Sequence, residues 1–241
     1  PNLTKSGEVQ ELRPKSKKNV VIIGANSGIG TALLQLLLED GYNAYGIDIQ
    51  KEAKLDRYEN YSYFMADPLS LEAIDKVREQ IQEHTGELDG LVNLSGTITQ
   101  FKSIRELSIE EWNDTYDISF KSCFNSCKVF APLLLQTKNS SIVNMSSGLA
   151  FIGQKNYGPY SAAKAAVVSF SKTLAAELAP KVRVNTVAPG AVDTNFIYKE
   201  DGSTRFDKTQ YQKMVPLGTL AQPKEIASVI QFLLGEGASH M

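Results

Sequence analysis

Val20-Val-Ile-Ile-Gly24-Ala-Asn-Ser-Gly28-Ile-Gly30 runs a β-branched apolar stretch straight into a glycine-rich turn. Four consecutive residues of that kind read as a strand buried on both faces, as in a parallel sheet covered by helices. A leucine-rich helix follows from about Ile29 to Glu39, and Gly41 stops it. Glycines let the backbone turn tightly and come close to a pyrophosphate. The helix behind them offers unpaired N–H groups and the positive end of its dipole. The junction therefore reads as a dinucleotide seat, with the spacing G-x-x-x-G-x-G in place of G-x-G-x-x-G.

Strand and helix signals alternate through the rest of the chain. Strands are expected at 43–48, 61–65, 91–94, 141–145 and 182–187, and helices at 71–84, at 161–178 and from Gln222 to a stop at Gly235. Ser108-Ile-Glu-Glu111 has the form of a capping box and opens a helical region that runs with interruptions to about Leu135. This alternation, with no break in composition, specifies an α/β fold: one doubly wound parallel sheet in a single Rossmann-like domain over 19–241. Residues 1–18 read as a polar tail. The polar, weakly periodic stretch 193–217 reads as a substrate lid.

Composition narrows the function. The 241 residues are 42% hydrophobic, enough for the core of one domain. Basic and acidic residues number 25 and 27, a balance without the electrostatic footprint of a nucleic-acid or anionic-membrane partner. The longest apolar runs fall far short of the ~20 residues of a membrane span. Cys123 and Cys127 are the only cysteines, too few for a secreted disulfide framework, and His84 and His240 are the only histidines. The expectation is a cytoplasmic protein without a metal.

Tyr160-Ser-Ala-Ala-Lys164 puts a phenol and an ammonium on one helix face, because positions i and i+4 are neighbours there. The ammonium favours the phenolate and draws the phenol's pKa toward working pH. Ser147, thirteen residues upstream, supplies a second hydroxyl. Asp48 ends the second strand, where a carboxylate can accept both hydrogen bonds of an adenosine ribose diol and repel a 2′-phosphate. Ser27 brings no positive charge to reverse that, so NAD is expected ahead of NADP. Candidate cofactor contacts are Gly24, Asn26, Ser27, Gly28, Ile29 and Gly30 in the turn, with Asp48 and Ile49 after the second strand. Asp67 and Pro68 stand where the adenine edge would lie, and Asn93, Ser95 and Gly96 follow the fourth strand.

The glycine turn, Asp48, Asn93-x-x-Gly96, Ser147, Tyr160/Lys164 and Pro189-Gly190 occur in that order. The ordered set resembles the short-chain dehydrogenase/reductase family, in the branch of small single-domain enzymes that includes 3-oxoacyl-(acyl-carrier-protein) reductases. The resemblance spans residues 19 to about 240. It implies that Tyr160 is the general acid/base, that Lys164 lowers its pKa and holds the nicotinamide ribose, and that Ser147 holds the substrate oxygen. Pro189, Gly190, Val192 and Thr194 would form the loop over the nicotinamide carboxamide. The implied activity is hydride transfer between a nicotinamide cofactor and an alcohol or ketone, on a small molecule, by a homodimer or homotetramer. Negative charge grows on the carbonyl oxygen as hydride reaches carbon, and two hydroxyls suit that oxygen.

The chain departs from the family pattern in four places. Ile23 precedes the first glycine where threonine is usual, and Asn93-Leu-Ser-Gly96 replaces Asn-Asn-Ala-Gly. Ser119 takes the position of a catalytic asparagine that carries a water between the lysine and bulk solvent, so a weaker proton relay is expected. The family pattern continues beyond a segment like 235–241 into a final edge strand; that strand is expected to be missing here, and the strand 182–187 then shows a bare edge unless another segment covers it. Two other readings stay open: an NAD-binding regulator or scaffold with vestigial catalysis, and dehydration or epimerisation on the same fold.

Overall fold

Val20, Val21, Ile22 and Ile23 are each at most 1% exposed. Side chains alternate across a strand, so Val21 and Ile23 join the core on one face of the sheet and Val20 and Ile22 the core on the other. The computed structural model describes residues 17–98, 101–194, 196, 209, 212–213 and 215–241. Most of the expected tail (1–18) and of the expected lid (193–217) lies outside the described residues.

The elements are β1 (Asn19–Ile23), α1 (Gly28–Glu39), β2 (Asn43–Asp48), β3 (Tyr61–Met65), α2 (Leu71–Thr85), β4 (Gly90–Asn93), α3 (Ile109–Tyr116), α4 (Ser122–Leu134), β5 (Ser140–Met145), α5 (Gly158–Leu178), β6 (Val182–Val187) and α6 (Pro223–Leu234). A π-helical turn, Asp117–Lys121, joins α3 to α4. The strands form one parallel sheet in the order β3-β2-β1-β4-β5-β6. Phe130, Ile142 and Leu174 belong to the core on one face; Leu33, Leu37 and Ile230 belong to the core on the other. The strand order reverses between β1 and β4, and ligands bind α/β sheets at such a switch point.

Local chemistry explains the helix starts. Ser27, Ser70 and Ser108 each cap a helix by accepting from an N–H three residues on, and Glu111 completes the capping box at Ser108. Helix α5 starts at Gly158, ahead of the expected Ser161. Pro159 fits a first turn because its missing N–H would have no helical partner there. Tyr160 therefore sits in the first turn of that helix.

A buried polar chain ties the sheet to α5. Asn93 Nδ2 donates to Asn144 Oδ1 at 2.8 Å, and Asn144 Nδ2 donates to Ser171 Oγ at 2.9 Å. Buried polar groups need partners, so this chain fixes how β4, β5 and α5 meet. Cys123 and Cys127 are buried thiols. At the other end of the sheet, β6 pairs only with β5 among the described residues. Its Arg183 and Asn185 side chains donate to the Met241 carbonyl at 3.4 and 3.1 Å. No helix among the described residues is long and apolar enough to cross a membrane.

Candidate active site

The glycine turn closes so tightly that Gly24 and Gly30 leave no room for a side chain. A Cβ on Gly30 would stand 2.3 Å from the Gly24 carbonyl oxygen and 2.7 Å from that of Ala25. Gly24 has φ +80°, and a Cβ there would meet the Leu94 carbonyl carbon and Ser95 nitrogen at 3.3 Å. Across the cradle, a Cβ on Gly28 would lie 3.0 Å from Thr194 Cγ2. A bare backbone at the N-terminus of a twelve-residue helix, at the switch point of the sheet, fits a dinucleotide diphosphate.

Asp48 stands beside that cradle. Its Oδ2 accepts from Asn26 N at 3.0 Å and its Oδ1 from Gln50 N at 3.2 Å, which leaves lone pairs on both oxygens for a ribose diol. Ile49 is 68% exposed at the rim. The Asn26 side chain is spent within the protein. Its Nδ2 donates to Glu52 O at 2.8 Å and Tyr63 Oη at 3.1 Å, and its Oδ1 accepts from Lys54 N at 3.0 Å. Lys54 Nζ in turn donates to the Asn26 carbonyl. Sequence reasoning missed Lys54; its one signal was a lysine six residues beyond the strand-end carboxylate.

Of the other candidates, Asp67 is exposed and accepts from Leu69 N at 2.9 Å, while Pro68 is buried. Asn93 is 3% exposed, and its amide nitrogen is used within the sheet. The loop from Pro189 is supported from both sides. Pro189 O accepts from Gly148 N at 2.9 Å, and Asp193 N donates to Ala221 O at 2.8 Å. Val192 bridges Ala221, and Thr194 Oγ1 accepts from Phe196 N at 3.3 Å. Gly190 is exposed.

Lys164, on α5, reaches the end of β5 and the segment after β4. Lys164 is 2% exposed. Its Nζ donates to Met145 O at 2.9 Å and Ser95 O at 3.2 Å, and lies 5.8 Å from the centroid of the Tyr160 ring. Burial disfavours the charged form and pushes the lysine pKa down to about 8. A Cβ on Gly96 would stand 3.0 Å from that nitrogen, so glycine makes the approach possible. Ser146 Oγ donates to Lys164 O at 2.8 Å. Ser147 is extended, and its Oγ accepts from Leu149 N at 3.2 Å, which leaves the hydroxyl proton to donate.

Ser119 sits in the π-helical turn with its hydroxyl already engaged. It donates to Thr97 O at 3.1 Å and accepts from Thr97 N at 3.2 Å. A relay water on this oxygen has one remaining lone pair to use. Tyr160 packs with Ile98 and Tyr157 in a small apolar cluster that Phe101, Leu149 and Phe196 flank. The Phe196 ring lies 5.7 Å from that of Tyr160, and Phe101 meets Tyr157 edge-on at 5.1 Å. Ile98 and Phe101 carried no motif in the sequence; only the fold brings them to Tyr160.

The family model described as enoyl-(acyl carrier protein) reductase matches residues 24–241. The chain is 34% identical over 233 residues to the 3-oxoacyl-(acyl-carrier-protein) reductase FabG of Thermotoga maritima, covering 93% of each chain. Among solved structures, ElxO with NADP bound superposes with a TM-score of 0.86 at 26% identity, covering 93% of this chain and 94% of that one. NAD+-bound xylitol dehydrogenase superposes with a TM-score of 0.85 at 25% identity, covering 95% and 96%.

The buried lysine has a consequence for stability. Its pKa of about 8 lies below the ordinary 10.5, so between those values the unfolded chain holds the extra proton and stability rises with pH. Relative to Lys164→Met, the wild-type chain is expected to gain up to about 3 kcal/mol between those two values. Parallel urea titrations of both proteins across that range read the gain. A stability difference that stays flat with pH excludes a depressed lysine.

Proposed function

The chain belongs to the short-chain dehydrogenase/reductase family and is a nicotinamide-dependent oxidoreductase of alcohols and carbonyls; we propose that NAD(H) is its preferred cofactor and that Ser147, Tyr160 and Lys164 carry the reaction. The observation that carries these roles is the buried Lys164 ammonium, held on two carbonyls beside the Tyr160 ring.

The cofactor, when bound, supplies or accepts the hydride. In the reducing direction the Ser147 hydroxyl donates a hydrogen bond to the substrate oxygen and keeps its proton, while Tyr160 transfers its own proton to that oxygen as charge builds there. Lys164 stabilises the phenolate that remains. The cluster of Ile98, Tyr157 and Phe196 around Tyr160 keeps water away from the transfer. Gly24, Ser27, Gly28, Ile29 and Gly30 would seat the diphosphate, and Pro189, Gly190, Val192 and Thr194 would border the nicotinamide. Asp48 would take the ribose diol and disfavour a 2′-phosphate. Neighbours solved with NAD+ and with NADP share the fold, so support for NAD rests on Asp48.

Two finer readings accompany this one. Ser119 serves the proton relay through its remaining lone pair, less effectively than an asparagine would. The chain assembles as a homodimer or homotetramer through an aromatic row in which Trp112, Tyr116, Phe120 and Phe124 recur every four residues and the last two meet Phe170.

Three measurements test these readings. NADH consumption over a panel of carbonyls should fall by about a thousandfold in Tyr160→Phe, and wild-type turnover in the variant sinks the catalytic assignment. Ser119→Asn should raise turnover, most at the pH extremes where proton supply limits the rate; identical profiles at every pH remove Ser119 from the relay. Light scattering of the wild-type chain should report a dimer or tetramer that Phe124→Asp weakens, whereas a monomer at all concentrations rules out assembly.

A further inference from the structure

We propose that Lys54 sets how far the cofactor site admits a 2′-phosphorylated dinucleotide, acting against Asp48 from the opposite end of one residue. The inference rests on the placement of the adenosine ribose at Asp48. Asn26 N–H donates to Asp48 Oδ2 at 3.0 Å, and Asn26 C=O accepts from Lys54 Nζ. A carboxylate and an ammonium thus share one residue's backbone, immediately before Ser27 and Gly28 of the phosphate turn.

Lys54 is held at this place. Its N–H donates to Asn26 Oδ1 at 3.0 Å. Asn26 Nδ2 donates to Glu52 O at 2.8 Å, and Tyr63 Oη donates to Gln50 O. These bonds pin the segment after β2 against the glycine turn, so ordering the lysine there costs little on binding. The ammonium has three protons, and the bond to Asn26 uses one of them on a neutral carbonyl. Its charge therefore stays available to an anion.

The two charged groups divide the cofactors between them. A ribose diol needs only the acceptor oxygens of Asp48. A 2′-phosphate is repelled by Asp48 and gains a charge-assisted hydrogen bond from Lys54. Other basic groups on the segment are placed differently: Arg57 Nη2 lies 3.3 Å from Tyr58 Oη, and Lys51, exposed as Lys54 is, has no bond to the glycine turn among the described residues. The site prefers NADH and also binds NADPH, with Lys54 setting the margin.

The test measures NADH and NADPH dissociation constants on the full chain by the fluorescence of the bound dinucleotide. The ratio of the NADPH to the NADH constant should rise about tenfold in Lys54→Met, the scale of one charge-assisted hydrogen bond. It should stay near the wild-type value in Lys54→Arg, change less than about twofold in Lys51→Met, the control for long-range charge, and fall in Asp48→Asn. An unmoved ratio in Lys54→Met overturns the proposal, as does equal weakening of both cofactors, which would make Lys54 a loop clamp only. Absence of NADPH binding to the wild-type chain overturns it as well. A wild-type chain that binds neither dinucleotide overturns the reading of the cofactor site itself. Circular dichroism of each variant separates a lost contact from a lost fold.

Discussion

The Lys164 ammonium lies inside the protein, bonded to the carbonyls of Met145 and Ser95. A charge taken out of water needs fixed dipoles in its place, and here they are main-chain groups at the ends of two neighbouring strands. Much of the local architecture serves that arrangement. Residue 96 is glycine where the nitrogen needs the space. Ser146 ties the lysine's own carbonyl back to the end of β5. The Asn93–Asn144–Ser171 chain holds β4, β5 and α5 in the register that brings both carbonyls to the ammonium.

The cofactor half of the site follows a different physical rule, that of exclusion. Gly24 and Gly30 stand where a Cβ would run into main-chain atoms, so the turn can close only with hydrogen at those places. The closed turn brings Leu94 and Ser95 against it, and Ser95 is also the residue whose carbonyl meets Lys164. Phosphate seat and proton-transfer group are therefore built on one short segment after β4. The charge pair Asp48 and Lys54 is likewise built on a single residue, Asn26.

Much of the fold was legible in advance because its signals are local. The β-branched run of β1, the capping box at Ser108 and the stop at Gly41 each act over four residues or fewer. The start of α5 was placed late, at Ser161, whereas the helix begins at Gly158 with Pro159 in its first turn. The π-helical turn that carries Ser119 has no composition of its own. Asn26 was read as a cofactor contact from its place in the turn, but the partners of its side-chain amide, Glu52 and Tyr63, lie 26 and 37 residues away and were not legible there.

The sequence by itself determined the alternation of strand and helix, the glycine turn, the strand-end carboxylate and the four-residue spacing of Tyr160 and Lys164. Each depends on steric fit or periodicity within a few residues. Only the tertiary structure decided that Lys164 is buried and its pKa depressed, that Ser119 grips Thr97, and that Lys54 reaches Asn26. Those outcomes depend on which carbonyls and charges the sheet order brings together across tens of residues. Electrostatics in a low-dielectric interior is set by such neighbours rather than by the residue type alone.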